Sequence, residues 1–380
     1  MIKSRHYWLD LIERSWEKKS VLWLSGVRRT GKTFLCKSLP GVEYFDCELP
    51  RTRRLMEDPE RFLETWKGKR LVFDEVHRLP NPSEMLKITA DHFPSTKIVA
   101  TGSSTLGASS KFRDTLTGRK LEIWLTPMNS IDMTDFGRVD FDRRLHRGGL
   151  PPFFLAAEYP ERDFQEWMEA YWAKDIQELF RLERRHSFAR FAELLFSQSG
   201  GIFEATRFSR PCEVSRTTIS NYLAVLEATF VVHVIRPFST RRATEIVAAP
   251  KVYGFDSGFV CHYKGWETLR PEDKGVLWEH YVLNEIHARL QRRDVQTWRD
   301  KQHHEIDFIL QRSSHQIEAI ECKWSADQFE PSNLKIFRSL HPLGENFVVA
   351  SDVDGSYRKN YQNMQVNFVG LEGLISALIK

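Results

Sequence analysis

Gly26-Val27-Arg28-Arg29-Thr30-Gly31-Lys32-Thr33 fits the pattern G-x-x-x-x-G-K-S/T at every fixed position. An apolar run, Val21-Leu22-Trp23-Leu24, precedes it, and Phe34, Leu35 and Leu39 follow at helical spacing. Strand, loop and helix in that order are the setting in which this motif cradles phosphate. Its glycines let the backbone curl so that successive N–H groups converge on an anion. Lys32 brings a point charge to the β- and γ-phosphates, and the Thr33 hydroxyl is an oxygen donor for Mg2+. Gly26, Arg29, Thr30, Gly31, Lys32 and Thr33 are therefore candidate nucleotide-binding residues, with ATP and Mg2+ as the expected ligands.

Downstream, Lys69-Arg70-Leu71-Val72-Phe73-Asp74-Glu75 is a short apolar strand ending in two acids. Asp74 suits a Mg2+ ion, directly or through water, and Glu75 suits the polarisation of an attacking water. An apolar run followed by Asp-Glu is also an ordinary capped strand end; its place about forty residues after the loop gives it the catalytic reading. A third run, Ile98-Val99-Ala100-Thr101-Gly102-Ser103-Ser104, ends in small hydroxyl residues suited to sensing a γ-phosphate. Short apolar runs at 21–25, 42–46, 71–74, 98–102 and 121–125 alternate with helical patterns, so residues 1–137 read as one α/β module.

The order of P-loop, Asp-Glu strand, Thr-Gly-Ser-Ser strand, Leu116-Thr117-Gly118-Arg119 and Leu125-Thr126-Pro127-Met128 resembles AAA-type ATPases. In particular it is similar to a prokaryotic subgroup carrying a C-terminal domain of once-unknown function. The resemblance implies that Ser103 or Ser104 is the polar phosphate sensor. It also implies that Arg119 or Arg113 acts as an arginine finger across a subunit interface, which requires a homo-oligomer, a hexameric ring being one form. The plain alternative is that either arginine is a solvated surface charge.

The chain has 380 residues, 41% hydrophobic and 28% charged, with a formal net charge of +4 and a pI of about 8.7. That is the balance of a soluble globular protein of several modules, mildly basic, which permits nucleic-acid binding without requiring it. Five cysteines (Cys36, Cys47, Cys212, Cys261, Cys322) stand singly. Their spacing argues against a zinc knuckle or a disulfide framework and fits a reducing compartment. The N-terminus lacks an apolar signal core, and no run approaches the roughly 18 apolar residues of a membrane span. A cytoplasmic protein without membrane contact is the expectation.

Around 138–152 the sequence turns Gly/Pro-rich and charged, as a linker or hinge does. Residues 153–200 then read as helices, with Phe164, Trp167, Met168, Tyr171 and Trp172 at 3.6-type spacing. Residues 201–245 resemble a winged helix: a short helix, a turn at 209–214, then an amphipathic helix capped by Ser215. Arg216, Thr217 and Asn221 fall at its exposed start and Arg241 at the tip of a wing, the positions from which such a fold contacts DNA. A wet helical linker or a protein-docking module would show the same pattern.

Pro250-Lys251-Val252-Tyr253-Gly254-Phe255-Asp256-Ser257-Gly258 matches the opening of the subgroup's C-terminal domain. A long helix containing Glu279 follows, then strands Glu305-Ile306-Asp307-Phe308-Ile309-Leu310 and Ile317-Glu318-Ala319-Ile320-Glu321-Cys322-Lys323-Trp324. The arrangement Glu279…Asp307…Glu321-x-Lys323 resembles the PD-(D/E)xK nuclease fold. Residues two apart on a strand share a face, so Glu321 and Lys323 point the same way. Asp307 and Glu321 would hold Mg2+ and Lys323 would steady the attacking water or the developing charge. Solvated cross-strand charge pairs look the same in sequence.

The expected architecture is thus α/β throughout: an AAA-type ATPase core at 1–137, a helical lid or linker at 138–200, a winged-helix-like segment at 201–250 and a restriction-endonuclease-like domain at 251–380. The expected function is an ATP-driven motor or switch acting on DNA, branched or damaged DNA among the candidates. The alternatives are a switch that docks a protein partner through an inactive nuclease-like domain, and an ATP-gated metal-dependent nuclease.

Overall fold

The computed structural model describes residues 4–102, 114–177, 184–239, 249–312 and 316–379. The chain divides into two compact units, the first comprising 1–140, 150–183 and 228–231, the second 141–149, 184–227 and 232–380. Residues 138–200, expected as one lid or linker, are shared between them.

The first unit is built on five parallel strands in the order β2-β3-β4-β1-β5. These are β1 (Val21–Ser25), β2 (Val42–Asp46), β3 (Arg70–Asp74), β4 (Lys97–Thr101) and β5 (Lys120–Trp124). They coincide with the five apolar runs to within a residue. All of β1 is buried, as a central parallel strand covered on both faces must be. One face packs Trp23, Leu71, Phe73, Ile98 and Ala100 against Phe62, Leu63, Met85 and Leu86. Because β4 lies between β1 and β3, the C-terminal end of β4 separates the phosphate loop from the Asp74–Glu75 turn. Ligands of open parallel sheets bind at such strand ends.

The second unit carries a nine-stranded sheet, β13-β14-β12-β11-β10-β9-β7-β8-β6. Its strands are β6 (Gly201–Ile202), β7 (Val232–Pro237), β8 (Lys251–Gly254), β9 (Gln296–Arg299), β10 (Glu305–Gln311), β11 (Ile317–Lys323), β12 (Asn346–Ala350), β13 (Tyr357–Tyr361) and β14 (Met364–Val369). Antiparallel β10–β11 joins parallel β11–β12 and β12–β14. The twenty-residue helix Pro271–Leu290 precedes them, and the helix Ser332–Leu340 connects β11 to β12. In the 201–254 region, β8 lies between β6 and β7 and pairs antiparallel with both. The strand β8, expected to open a separate C-terminal domain, therefore closes this small sheet. Parallel pairing of β7 with β9 then makes one sheet of the whole unit.

The stretch expected as a linker is helical and packed. Helices span Phe141–Arg147 and Pro151–Leu155, and Gly148, Gly149 and Leu150 are buried. A Cβ on Gly148, whose φ is +82°, would lie 1.8 Å from Asp256 Oδ1, and Gly149 N donates to Asp256 Oδ2 at 2.6 Å. Here glycine permits close packing rather than freedom. All five cysteines are free and buried. Among the described residues no helix is long and apolar enough to cross a membrane.

Candidate functional site

The phosphate loop leaves β1 at Gly26, where φ is +142° and a Cβ would meet Leu125 O at 2.3 Å, so only glycine fits. Arg29 and Gly31 also take positive φ, 66° and 96°. Thr30 is fully buried, its hydroxyl donating to Val27 O at 2.9 Å. Lys32 Nζ donates to Gly26 O at 2.7 Å and Val27 O at 3.0 Å. The ammonium is thereby held inside the curl where it can meet phosphate oxygens. Burial lowers its pKa, against the charges of Glu75 and Asp175.

At the end of β3 the Asp74 carboxylate is 3% exposed, accepting from Tyr44 OH and from Thr101 Oγ1. Thr101 Oγ1 also accepts from Glu75 N at 3.1 Å, so the last residue of β4 ties both acids together. Glu75 sits at φ 54°, ψ 45°, a left-handed conformation that costs a non-glycine residue free energy and recurs at functional sites. Its side chain meets His77 Nδ1 at 3.2 Å. Burial works to raise the Glu75 pKa, but the His77 hydrogen bond and the Lys32 charge outweigh it and hold the carboxyl below its ordinary value.

These groups surround a cavity of about 890 Å³ whose lining includes Gly26, Gly31, Lys32, Thr33, Glu75 and Asp175. The sequence-selected Arg29 lines it too; Asp74, the last residue of β3, is not among the lining residues, though its charge acts on Lys32. Thr33 and Asp74 offer oxygen donors only, the chemistry Mg2+ prefers. Arg119 is not among the lining residues; its Nε donates to Asp91 Oδ1 at 2.8 Å and Oδ2 at 3.0 Å. Ser103, Ser104 and Arg113 lie outside the described residues.

Two participants carry no motif signal. Arg5, 3% exposed, donates from Nε to Asp132 Oδ1 at 2.9 Å and from NH1 to Thr30 O at 2.9 Å, bracing the loop from behind. Asp132 is fully buried and also accepts from Trp8 Nε1 at 3.2 Å. Asp175 accepts at Oδ2 from Arg28 Nε at 3.2 Å. Burial raises the Asp175 pKa and the Arg28 charge opposes the rise. The one sequence signal that could have pointed to Asp132 is the Asn129-x-x-Asp132 spacing of a capping box, which is not among the expectations drawn from sequence.

In the second unit, β10 and β11 bring together the carboxylates chosen from sequence. Phe308 stands opposite Ile320, which puts Asp307 and Glu321 at the same end of the pair. Lys323 Nζ donates to Glu321 Oε2 at 2.8 Å and lies 3.9 Å from Asp307 Oδ2. Asp307 Oδ2 accepts from Cys322 N at 2.8 Å. Glu279 joins from its helix, accepting from Tyr253 OH at 2.9 Å. Burial, then the Asp307 charge, pushes Glu279 up to about 7 and Glu321 up to about 8. Lys323 is raised: burial opposes its charge, but Asp307 and Glu321 prevail. Asp307 and Glu321 are oxygen donors of the kind Mg2+ takes, with a lysine charge already between them.

In the segment expected to resemble a winged helix, the helix expected after Ser215 is present. The helix Arg216–Ala228 begins after Ser215, whose Oγ accepts from Thr218 N at 3.1 Å. Ile219, Tyr222, Leu223 and Leu226 are buried, while Arg216, Thr217 and Asn221 are exposed. Arg241 lies outside the described residues.

Residues 18–133 match the family model described as AAA domain, and the unit's parallel sheet is the α/β P-loop fold of such domains. Residues 138–270 and 274–368 match two domains of unknown function, DUF8612 and DUF4143. Two uncharacterized proteins, from Mycobacterium tuberculosis (strain H37Rv) and Mycobacterium bovis, are 26% identical over 315 residues, covering 80% of this chain and 70% of theirs. Among solved structures, a signal transduction ATPase with numerous domains from Pyrococcus horikoshii aligns over 75% of this chain and 46% of its own, at 12% identity and a TM-score of 0.28. The Bacillus subtilis DNA clamp loader delta protein aligns over 75% of this chain and all of its own, at 12% identity and a TM-score of 0.26. The chain spans less than half of the Pyrococcus protein, and likeness this distant bears no weight on activity or partners.

Proposed function

We propose that the chain hydrolyses ATP at the Gly26–Thr33 loop and uses the cycle to act on DNA. The observation that carries this is the meeting of Lys32, Thr33 and Glu75 around one cavity at the strand ends, with Asp74 next to Glu75 at the end of β3. Loop N–H groups and Lys32 would hold the β- and γ-phosphates. Mg2+ bound by Thr33 and Asp74 would neutralise phosphate charge. Glu75, deprotonated at neutral pH and held by His77, would orient the attacking water. Thr101 keeps the two acids in register, and Ser103 would sense the γ-phosphate. Arg119 would serve a neighbouring subunit of an oligomer, a hexameric ring being one form, after giving up Asp91.

The DNA side rests on the second unit. The order helix (Arg185–Ser197), β6, helix, helix, β7, β8, with β8 between β6 and β7, supports a winged-helix reading. It leaves Arg216, Thr217 and Asn221 on the exposed start of the helix Arg216–Ala228, with Arg241 expected on the wing. The αβββαβ order around Asp307, Glu321 and Lys323 supports the nuclease-like reading. Phosphate release by the wild type and by Lys32→Ala, with and without single-stranded, duplex and junction DNA, tests the proposal. Stimulation by one of these DNAs supports it, and an unchanged rate with all three removes DNA as the object.

One contact favours a second reading, in which the nuclease-like fold binds without cutting. Lys323 is bonded to Glu321 where a metal would have to compete for that carboxylate. Mg2+-dependent cleavage that disappears in Asp307→Ala and Lys323→Ala would establish an ATP-gated nuclease instead; its absence, with a protein partner retained, would support the docking switch.

A further inference from the structure

Arg28 occupies a position that the P-loop pattern leaves open, yet one helix fixes it at both ends. The helix Glu161–Tyr171 continues into a π-helical turn, Trp172–Ile176, a widened geometry that recurs at functional sites. From that helix Trp167 Nε1 donates to the Arg28 carbonyl at 3.0 Å. From the π turn Asp175, 6% exposed, receives Arg28 Nε at 3.2 Å. The same helix reaches the next loop residue through Asp163, 3.3 Å from Arg29 NH1.

The bond to Asp175 uses Nε alone. Among the described residues the two terminal nitrogens of Arg28 have no hydrogen-bond partner, and the side chain lines the cavity beside Lys32, Glu75 and Asp175. A guanidinium steadied at Nε presents its remaining N–H groups as a fork, the geometry that matches a phosphate bearing several free oxygens. Within the loop Arg28 lies near enough to Glu75 to help hold that carboxyl ionised. Glu75 is the water-orienting acid, so Arg28 belongs to the γ-phosphate end of the site.

We propose that Arg28 contacts the terminal phosphate of ATP in cis, with Asp175 and Trp167 as its positioning residues. This rests on the nucleotide reading above. One copy of the chain then supplies from its own loop a charge of the kind that an arginine finger brings across an interface. Asp175 links that charge to the helix Glu161–Tyr171, so the helix is coupled to the phosphate that distinguishes ATP from ADP.

The test compares Mg-ATP and Mg-ADP binding, by competition against a fluorescent nucleotide, with steady-state phosphate release. In Arg28→Ala, ADP affinity stays within about twofold while ATP affinity and kcat fall about tenfold or more, the range expected when a charge-assisted hydrogen bond is removed. Asp175→Asn shifts both in the same direction by less, and Asp175→Glu restores them. Equal losses for ATP and ADP in Arg28→Ala would reduce Arg28 to a loop support and overturn the proposal, as would full ATP preference in that variant. If Arg28→Ala does not fold, Arg28→Lys carries the same comparison, since it keeps stem and charge but loses the fork. Wild type that binds neither nucleotide, like Lys32→Ala, would instead overturn the nucleotide reading itself.

Discussion

In the proposed cycle Lys32 and Glu75 do different work, and single substitutions separate them. If Lys32 holds the phosphates as proposed, Lys32→Ala removes their point charge and is expected to abolish nucleotide binding in a fluorescence titration. Glu75→Gln keeps binding but slows phosphate release by roughly 10²–10⁴-fold, the usual contribution of general base catalysis. The pH profile adds a sign. Because Glu75 is held below its ordinary value of 4.5, its basic form is present at neutral pH and the acidic limb it sets lies below pH 4.5. An acidic limb near neutrality would assign the base to another group. At this scale the placement of Lys32, Thr33 and Glu75 around one cavity, and of Asp74 at the end of β3, was legible because motif spacing along the chain sets it. Arg5 and Asp175 were not, because their partners lie 127 and 147 positions away along the chain, and only folding brings them to the loop.

Elements carry the next two expectations. The buried Arg5–Asp132 pair joins the residue before the helix His6–Lys18 to the helix Ser130–Asp135 and to Thr30. Asp132→Ala leaves a buried guanidinium without its carboxylate and should cost about 3–5 kcal/mol in denaturant unfolding; a loss under about 1 kcal/mol would place the pair in water instead. In β11, Glu321 is raised from 4.5 to about 8, and Glu279 in the facing helix from 4.5 to about 7. In the fold these two carboxyls therefore hold more protons than in the unfolded chain between 4.5 and about 8, so their contribution to stability is full below 4.5 and is lost as pH rises to about 8. Urea midpoints of Glu321→Gln should fall less with rising pH than those of wild type; parallel curves would contradict the raised carboxyl. The helix Arg216–Ala228 and strands β10 and β11 were legible from apolar period and from Ser215. The packed segment around Gly148 was not, since its glycines answer to Asp256, which is distant in sequence.

For the whole molecule, the five strands of the first sheet were legible as apolar runs alternating with helical patterns around a phosphate loop, while their order β2-β3-β4-β1-β5 comes from the structure. The nine-stranded sheet was not legible as one sheet, because the β7–β9 pairing that unites it is a long-range contact with no mark in either strand. That continuity joins the proposed DNA reader to the carboxylate cluster within one sheet. If the reader binds DNA, Arg216→Glu lowers affinity and flattens its salt dependence by about one unit of slope for each phosphate no longer neutralised; unchanged affinity and slope would retire it. The claim on which the rest depends is that nucleotide is held and hydrolysed at Gly26–Thr33, and Mg-ATP phosphate release by wild type, Lys32→Ala and Glu75→Gln addresses it directly. The expected result is turnover in wild type, roughly 10²–10⁴-fold less in Glu75→Gln with ATP still bound, and neither binding nor turnover in Lys32→Ala. Turnover that survives Lys32→Ala, or wild type that neither binds nor hydrolyses ATP, would contradict it.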